Sequence, residues 1–507
     1  MAALSRVLDV SSMTDALGVY VPAMIAQKAV GLGRLVLLAY LMSRVPHQYG
    51  AWGLGLMVAT LAAPVLTLGA GQGLRRYVSH YEARGQLAAF FKQVRWYVPA
   101  ACVVTGCVAL ACSGFITRGV IVSRVPAATD LPYRQQLAVC MVALANAMVL
   151  SLHQGVVGFM VGMRAYRLVS VVEVFFSVLF TALAAGAAAV WPTGLAVLWA
   201  HLGALLVTLV LGVWALGVLV GRARPLDGAP PAHDGAGLRL RRLVRFGLGA
   251  MTAALCLAAA QSVSLTIVNR FHGKAAAGVY ALFAQLSQPM YFMACAAWTV
   301  LLTHSAARWE RGDRQGAVSR LQTGYKAVAA ASMTLAVVLL AAAPLWLQLL
   351  PASFRSGGAL LGGLLMFFQS LTHLAVVNIV ARLHERPAAA AASMGVGAVA
   401  NAVLAWWWLG AAGPAGAAWA AGVGMYLGAG AVAVGYLLIT RTRLQVSTWL
   451  VMAAPALLAL AVRWPLWAPA AAWAVVLAVS LATGRLFSAE EKHILVGGLR
   501  RLVRFRR

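Results

Sequence analysis

The sequence predicts an all-α polytopic membrane protein of about 14 transmembrane helices, built as two pseudo-symmetric six-helix bundles plus a C-terminal helix pair. Three observations carry that expectation. Of the 507 residues, 62% are hydrophobic and 10% charged, and the mean hydropathy is +0.84, a composition outside the range of water-soluble domains. The apolar residues gather in runs of roughly 20, the length at which a helix crosses ~30 Å of hydrocarbon. The two halves of the chain also repeat each other's landmarks at a nearly constant offset.

Taken in order, the spans fall at roughly 16–42, 50–73, 94–116, 137–161, 168–191 and 194–220, then 244–268, 276–303, 326–350, 357–381, 388–410 and 414–440. A final pair, roughly 447–464 and 466–487, is split only by "RWPLW". Spans 1 and 2 are separated by the turn "LMSRVPHQYG", and span 2 closes on "GAGQG". That glycine cluster mimics part of a nucleotide loop. It follows a membrane helix, with no strand before it and no P-loop lysine after it, so an ATPase is excluded. The first 15 residues are mixed polar, and no cleavable signal peptide is predicted. The six cysteines (Cys102, Cys107, Cys112, Cys140, Cys256, Cys295) lie inside apolar runs without CxxC or Cys/His spacing and read as small packing residues. No cofactor and no metal site is expected.

The net charge of +28 would point to nucleic acid in a soluble protein. Here the basic residues fall between the spans, 30 on one side and 8 on the other, with Lys28 and Arg34 inside span 1. The positive-inside rule then predicts a multi-pass protein of the cytoplasmic (inner) membrane with both termini cytoplasmic. Two basic amphipathic helices, "LRLRRLVRF" (Leu238–Phe246) and "HILVGGLRRLVRFRR" (His493–Arg507), are placed on the inner leaflet against anionic lipid. The Pro/Gly-rich stretch Gly221–Gly237 is the best internal boundary. The expected domains are residues 1–220 and 244–440 as six-helix bundles, 221–243 as a cytoplasmic linker with its amphipathic helix, and 441–507 as the extra helix pair and basic tail.

The repeat is visible residue by residue. Arg44, Gly50 and Glu82 correspond to Arg270, Gly278 and Glu310, with Gly50 to Gly278 and Glu82 to Glu310 both 228 residues apart. His153 and Arg167 have counterparts in His373 and Arg386, and spans 2 and 8 each carry an interior proline, Pro64 and Pro289. Corresponding interrupted helices in two repeats point to a transporter with its site between the halves.

Span 1 carries the strongest chemical signal. Gly31 and Arg34 lie within about 40° of Gln27 on a helical wheel, with Lys28 beside them, giving one cationic stripe. A cation at the bilayer centre costs about 2.5 to 3.5 kcal/mol on insertion scales, so something polar must receive it. Gln27, Lys28 and Arg34 are the candidate site for an anionic head group; the alternative is snorkelling or an internal salt bridge. Glu173, the one acid clearly inside a span, pairs with Arg164, Arg167 or a neighbouring helix, or couples protons. His153, His373 and Gln369 either titrate or bind sugar hydroxyls, or satisfy neighbouring helices. Arg270 either lines the cavity or anchors an outer turn.

The stretches "LMSRVPHQYGAWGLGL" (Leu41–Leu56), "GLRRYVSHYEARGQ" (Gly73–Gln86), "VNRFHGKAAAGVYALF" (Val268–Phe283) and "GPAGAAWAAGVG" (Gly413–Gly424) resemble, in order and spacing, the multidrug/oligosaccharidyl-lipid/polysaccharide exporter superfamily. Within it the chain is most similar to the polysaccharide-export, Wzx-type flippase branch. The resemblance covers about residues 15–440 and implies two six-helix bundles around a central cavity, working by alternating access. It also implies that the chain moves an undecaprenyl-diphosphate-linked glycan outward for surface polysaccharide, lipopolysaccharide or exopolysaccharide synthesis, beside polysaccharide polymerase machinery. The extra helix pair resembles the fourteen-span members, and Lys28 and Arg34 are placed like the span 1 cations of lipid II flippases, so that substrate stands as an alternative. A multidrug antiporter for cationic drugs would need carboxylates where span 1 offers cations. A polysaccharide polymerase or ligase would need catalytic acids on a long outer loop, whereas the outer loops are short and hold a single acid, Asp130. The chain is therefore not expected to be an enzyme.

Overall fold

The computed structural model describes residues 13–82, 87–124, 131–222, 240–310, 313–384, 386–442, 444–483 and 487. Most of the linker at 221–243, the tail at 493–507, the acid Asp130 and most of the "EARGQ" stretch lie outside the described residues. Among those described, the ordered elements are helices with no strand. Ten helices among the described residues are long and apolar enough to cross a membrane. Two of these, 245–302 and 388–439, are each broken by a glycine with positive φ, Gly273 (φ 78°) and Gly413 (φ 58°), and each holds two predicted spans. The last predicted pair is present but short, as apolar helices at Val446–Val462 and Ala468–Ser480.

Two helix ends differ from the sequence reading. Span 2 was expected to run to residue 73, but its helix is Pro46–Leu66, and the chain breaks at Leu68 (φ 49°) and Gly69 (φ 70°) before a new helix, Ala70–Glu82. Pro64, just upstream of the break, has no N–H to extend the ladder. Pro289 was read as interior to span 8, yet it opens the helix Pro289–Glu310. At the first helical position its missing N–H costs nothing.

By its contacts the chain forms two units, residues 29–281 and residues 13–28 with 282 onward. The division falls inside the helix Met13–Leu41, between Lys28 and Ala29. These units are defined by packing, whereas the predicted bundles are defined by the repeat.

In the first unit small residues let backbones approach, as they do where lipid supplies no hydrophobic drive between helices. Gly194 packs on Gln48 and Trp52, and Gly162 on Val78. Polar side chains bridge helices through backbone carbonyls: Ser151 Oγ donates to Ala63 O (2.8 Å) and Thr105 Oγ1 to Leu66 O (2.8 Å). Asn269 Nδ2 donates to Val120 O (3.2 Å) and Ile121 O (3.1 Å), pinning the turn that ends the π-helix Thr117–Ile121. Cys102 and Cys140 pack inside, while Cys107 and Cys112 are exposed on the apolar surface and do no internal packing.

The glycine cluster after span 2 has a local role. A Cβ on Gly69 would collide with the carbonyl oxygen of Gly247, and its φ of +70° is one that L side chains rarely adopt. Gly69→Ala is expected to lower the thermal midpoint of the purified protein by several degrees. Gly71→Ala, whose nearest contact would be 3.6 Å, should leave it unchanged.

In the second unit the helix Leu361–Leu383 is almost wholly buried, with Gly363 against the backbone of Ala418 and Trp419. Asp313 caps the helix Arg314–Ala341 by accepting from Gly316 N (2.9 Å). Two cations counted as loop charges on sequence grounds are buried here: Lys326 in the second unit and Lys274 in the first. Each sits on a helix that packs against protein along the face carrying the cation.

Candidate functional site

Arg34 belongs to the first unit, where its guanidinium lies over the ring of Phe180, 4.1 Å from the centroid. Its Nε and Nη1 are buried and make no hydrogen bond. At that distance the cation meets the negative face of the ring, a cation–π contact that uses none of its N–H donors in a conventional hydrogen bond. An unmatched buried donor costs roughly 1 to 3 kcal/mol, more when charged.

The surroundings of Arg34 are aromatic and imidazole. Phe180, 2% exposed, also meets the ring of His201 at 4.6 Å and 60°. Phe176 contacts His201 (5.7 Å, 68°) and Phe180 (6.0 Å, 22°). His201 is buried and its Nδ1 lies 2.7 Å from Asn146 Oδ1. Tyr49 is within electrostatic reach of Arg34, and both Arg34 and His153 are within reach of His201. The helix Tyr166–Val190 places Phe176 and Phe180 one turn apart, which sets both rings on one face.

The other sequence candidates fall into separate places. Lys28 belongs to the second unit, with Nζ 4.1 Å from the centroid of Phe292, and buried Gln27 goes with it. The predicted stripe on span 1 is therefore divided between the two units, one cation on a phenylalanine of each. His153 is buried with its ring 6.0 Å from Phe176, which brings it to the Arg34 cluster. Glu173 is half-buried on the same helix, one turn before Phe176.

His373 and Gln369 lie in the core of the second unit. His373 Nδ1 donates to Gln369 O (2.7 Å), and the carbonyl of His373 accepts from Tyr325 OH (3.0 Å). Gln369 Nε2 donates to Ser332 O (3.2 Å) and Oγ (3.1 Å). The carbonyl of Arg270 accepts from Arg124 N (3.2 Å), tying an end of the broken helix to the 124 turn. Among the described residues no group of three or more His, Cys, Asp or Glu is arranged to hold a metal ion.

His201, Asn146 and Phe180 were missed on sequence grounds. His201 did carry a signal, as a lone imidazole in the run "LWAHLGALL"; Phe180 carried none in a span rich in phenylalanine.

The chain matches no protein-family profile and no curated protein. Solved structures do match. One is described as the outward-facing conformation of a multidrug resistance MATE family transporter of the MOP superfamily: TM-score 0.60, 16% identity, 86% of this chain and 98% of that one. Another is a MOP superfamily transporter from Pyrococcus furiosus, for which reverse polarity of the binding pocket is said to suggest a different function: TM-score 0.61, 15% identity, 89% and 98% coverage. A third is MATE in the straight conformation: TM-score 0.59, 15% identity, 86% and 98% coverage. At such identities the likeness is one of fold, and this chain has the fold of the MATE transporters of the MOP superfamily.

Proposed function

We propose that the chain is a transporter that moves an anionic lipid-linked oligosaccharide, of the undecaprenyl-diphosphate class, across the cytoplasmic membrane by alternating access, with both termini on the cytoplasmic side. The observation that carries this reading is Arg34: a guanidinium held on Phe180 in a membrane helix, with Nε and Nη1 buried and unbonded. A diphosphate presents the acceptor oxygens such a fork requires. Lys28, on Phe292, is a second cation on the same helix. The transporter fold supports the class of activity, and the solved neighbour whose pocket of reverse polarity is said to suggest a different function supports the idea that one fold serves more than one function. Lipid II is the alternative substrate with the same head-group chemistry.

Multidrug efflux is the second reading, favoured by the multidrug resistance MATE transporter among the structural neighbours. The sign of charge in the Arg34 cluster opposes it for cationic drugs. Arg34→Ala should abolish surface glycan export at unchanged protein level in the membrane, and Arg34→Lys, which keeps the charge and loses the fork, should retain part of it. Normal export from a stable Lys28→Ala, Arg34→Ala double variant, or drug resistance conferred by the wild type alone, would overturn the proposal.

A further inference from the structure

We infer that Asn146 and His201 are positioning residues for the anion site, acting on Arg34 through the ring of Phe180; this rests on the reading of Arg34 as the anion-binding group. The chain of contacts starts at two backbones. Asn146 Nδ2 donates to Val142 O (2.9 Å), one turn back on its own helix, and to Leu198 O (3.1 Å) on the helix Gly194–Arg222. With both amide hydrogens engaged, the amide orientation is set, and Oδ1 is the atom facing His201 Nδ1 at 2.7 Å. An amide oxygen can only accept, so the hydrogen lies on His201 Nδ1 and the imidazole is locked in one tautomer and one rotation.

The locked imidazole then fixes the rings beneath Arg34. It packs against Phe180 at 4.6 Å and against Phe176 at 5.7 Å, so the phenyl face that carries Arg34 cannot turn without displacing a side chain that is hydrogen-bonded to two helices through Asn146. Asn146 is fully buried and Phe180 and His201 nearly so, and close packing of this kind restricts the rotamers open to them. A long arginine side chain is ordinarily free to sample many rotamers; here the platform is set by groups that do not touch the ligand. Such prior ordering raises affinity by lowering what binding must immobilise.

The test uses the full chain in lipid nanodiscs with inorganic pyrophosphate as probe and two readouts. A guanidinium stacked on a phenyl ring has an Nε–H resonance displaced by the ring current. In protein labelled with 15N-arginine that signal is assigned by its loss in Arg34→Lys. Asn146→Leu and His201→Leu should each return the Arg34 signal to the position of unstacked arginines and weaken pyrophosphate binding on the order of tenfold. Phe180→Leu should do the same, and Phe180→Tyr should restore both. An Arg34 signal that stays ring-shifted in Asn146→Leu and His201→Leu overturns the inference, whatever pyrophosphate does. If the wild type shows the displaced signal but no pyrophosphate binding, the anion-site reading fails while the positioning by Asn146 and His201 stands. Should Asn146→Leu not fold, Asn146→Ala removes the same acceptor at lower volume and is read by the same criterion.

Discussion

Gly50→Val should leave little folded protein. The glycine sits where the helix Pro46–Leu66 meets the helix Leu240–Ser287 within the first unit, and a Cβ on it would strike the carbonyl oxygen of Lys274, with Lys274 C at 2.9 Å and Gly278 N at 3.1 Å. The contact is reciprocal, since a Cβ on Gly278 would meet Pro46 O at 2.7 Å and Gly50 N at 3.0 Å. All of these neighbours are backbone, which cannot swing aside as the end of a flexible side chain does, so the helices themselves must separate. Overpacking a well-filled site costs about 1 to 3 kcal/mol, and a forced separation of backbones belongs at or above the upper end. Against a total stability of about 5 to 15 kcal/mol, that is a large fraction. The measurement is the monodisperse fraction after solubilisation and the thermal midpoint, with Gly33→Val as the control because a Cβ there meets nothing within 4 Å. A Gly50→Val protein that matched the control in both would show that the two helices tolerate a wider crossing. The two glycines are also the repeat-equivalent pair, 228 residues apart, so the landmarks that revealed the repeat touch one another in the fold.

Lys326→Ala should release the C-terminal helix pair from the rest of the second unit. Lys326 is fully buried, and its Nζ donates to Gln445 Oε1 (2.7 Å) and Ser447 Oγ (3.2 Å), with the ring of Phe487 5.6 Å away. One turn earlier, Gln322 Oε1 accepts from Gln445 N (2.9 Å) and from Thr448 Oγ1 (3.1 Å). Further along the same helix, Thr334 Oγ1 accepts from Trp473 Nε1 (2.9 Å). The helix Arg314–Ala341 thus presents a row of polar groups that takes hold of both members of the pair. Hydrogen bonds to a charged group contribute about 1.5 to 3 kcal/mol each, and removing the ammonium strands its buried acceptors as well. Lys326→Ala should therefore lower the thermal midpoint and open the segment around residues 440–445 to protease, with the Arg34 signal unchanged. Protease resistance equal to wild type would place the holding energy in the apolar contacts of the pair instead.

Much of the architecture was legible in the sequence because length and hydropathy are properties of the chain taken one residue at a time. Runs of roughly 20 apolar residues located the long spans, and the glycines that punctuate them, Gly273 and Gly413, lie at the kinks where two predicted spans meet. The end of span 2 was harder. "TLGAGQG" remains apolar and small through the break, and nothing in its composition separates a helix that continues from one that turns at Leu68 and Gly69.

The site was half legible. A cation within an apolar run is conspicuous, so Arg34 and Lys28 stood out at once. Their grouping into a single site followed from their shared stripe on one helix. The helix crosses the unit boundary between Lys28 and Ala29, and each cation lies on a phenylalanine of its own unit, a pairing that the stripe alone does not reveal.

The sequence by itself determined that this is a many-span membrane protein, roughly where its spans lie, and that span 1 carries buried positive charge. Only the tertiary structure decided which faces of those helices meet: that Phe180 lies beneath Arg34, that Asn146 and His201 stand behind it, that Gly50 meets Gly278, and that Lys326 is a buried node rather than a loop charge. The physical reason is that a helix which is apolar on every side carries no stripe to mark its inner face. In a soluble protein the contrast between polar and apolar faces records the fold in the sequence; in lipid that contrast is missing, and the record passes to small residues and isolated polar groups whose partners are known only once the helices are packed.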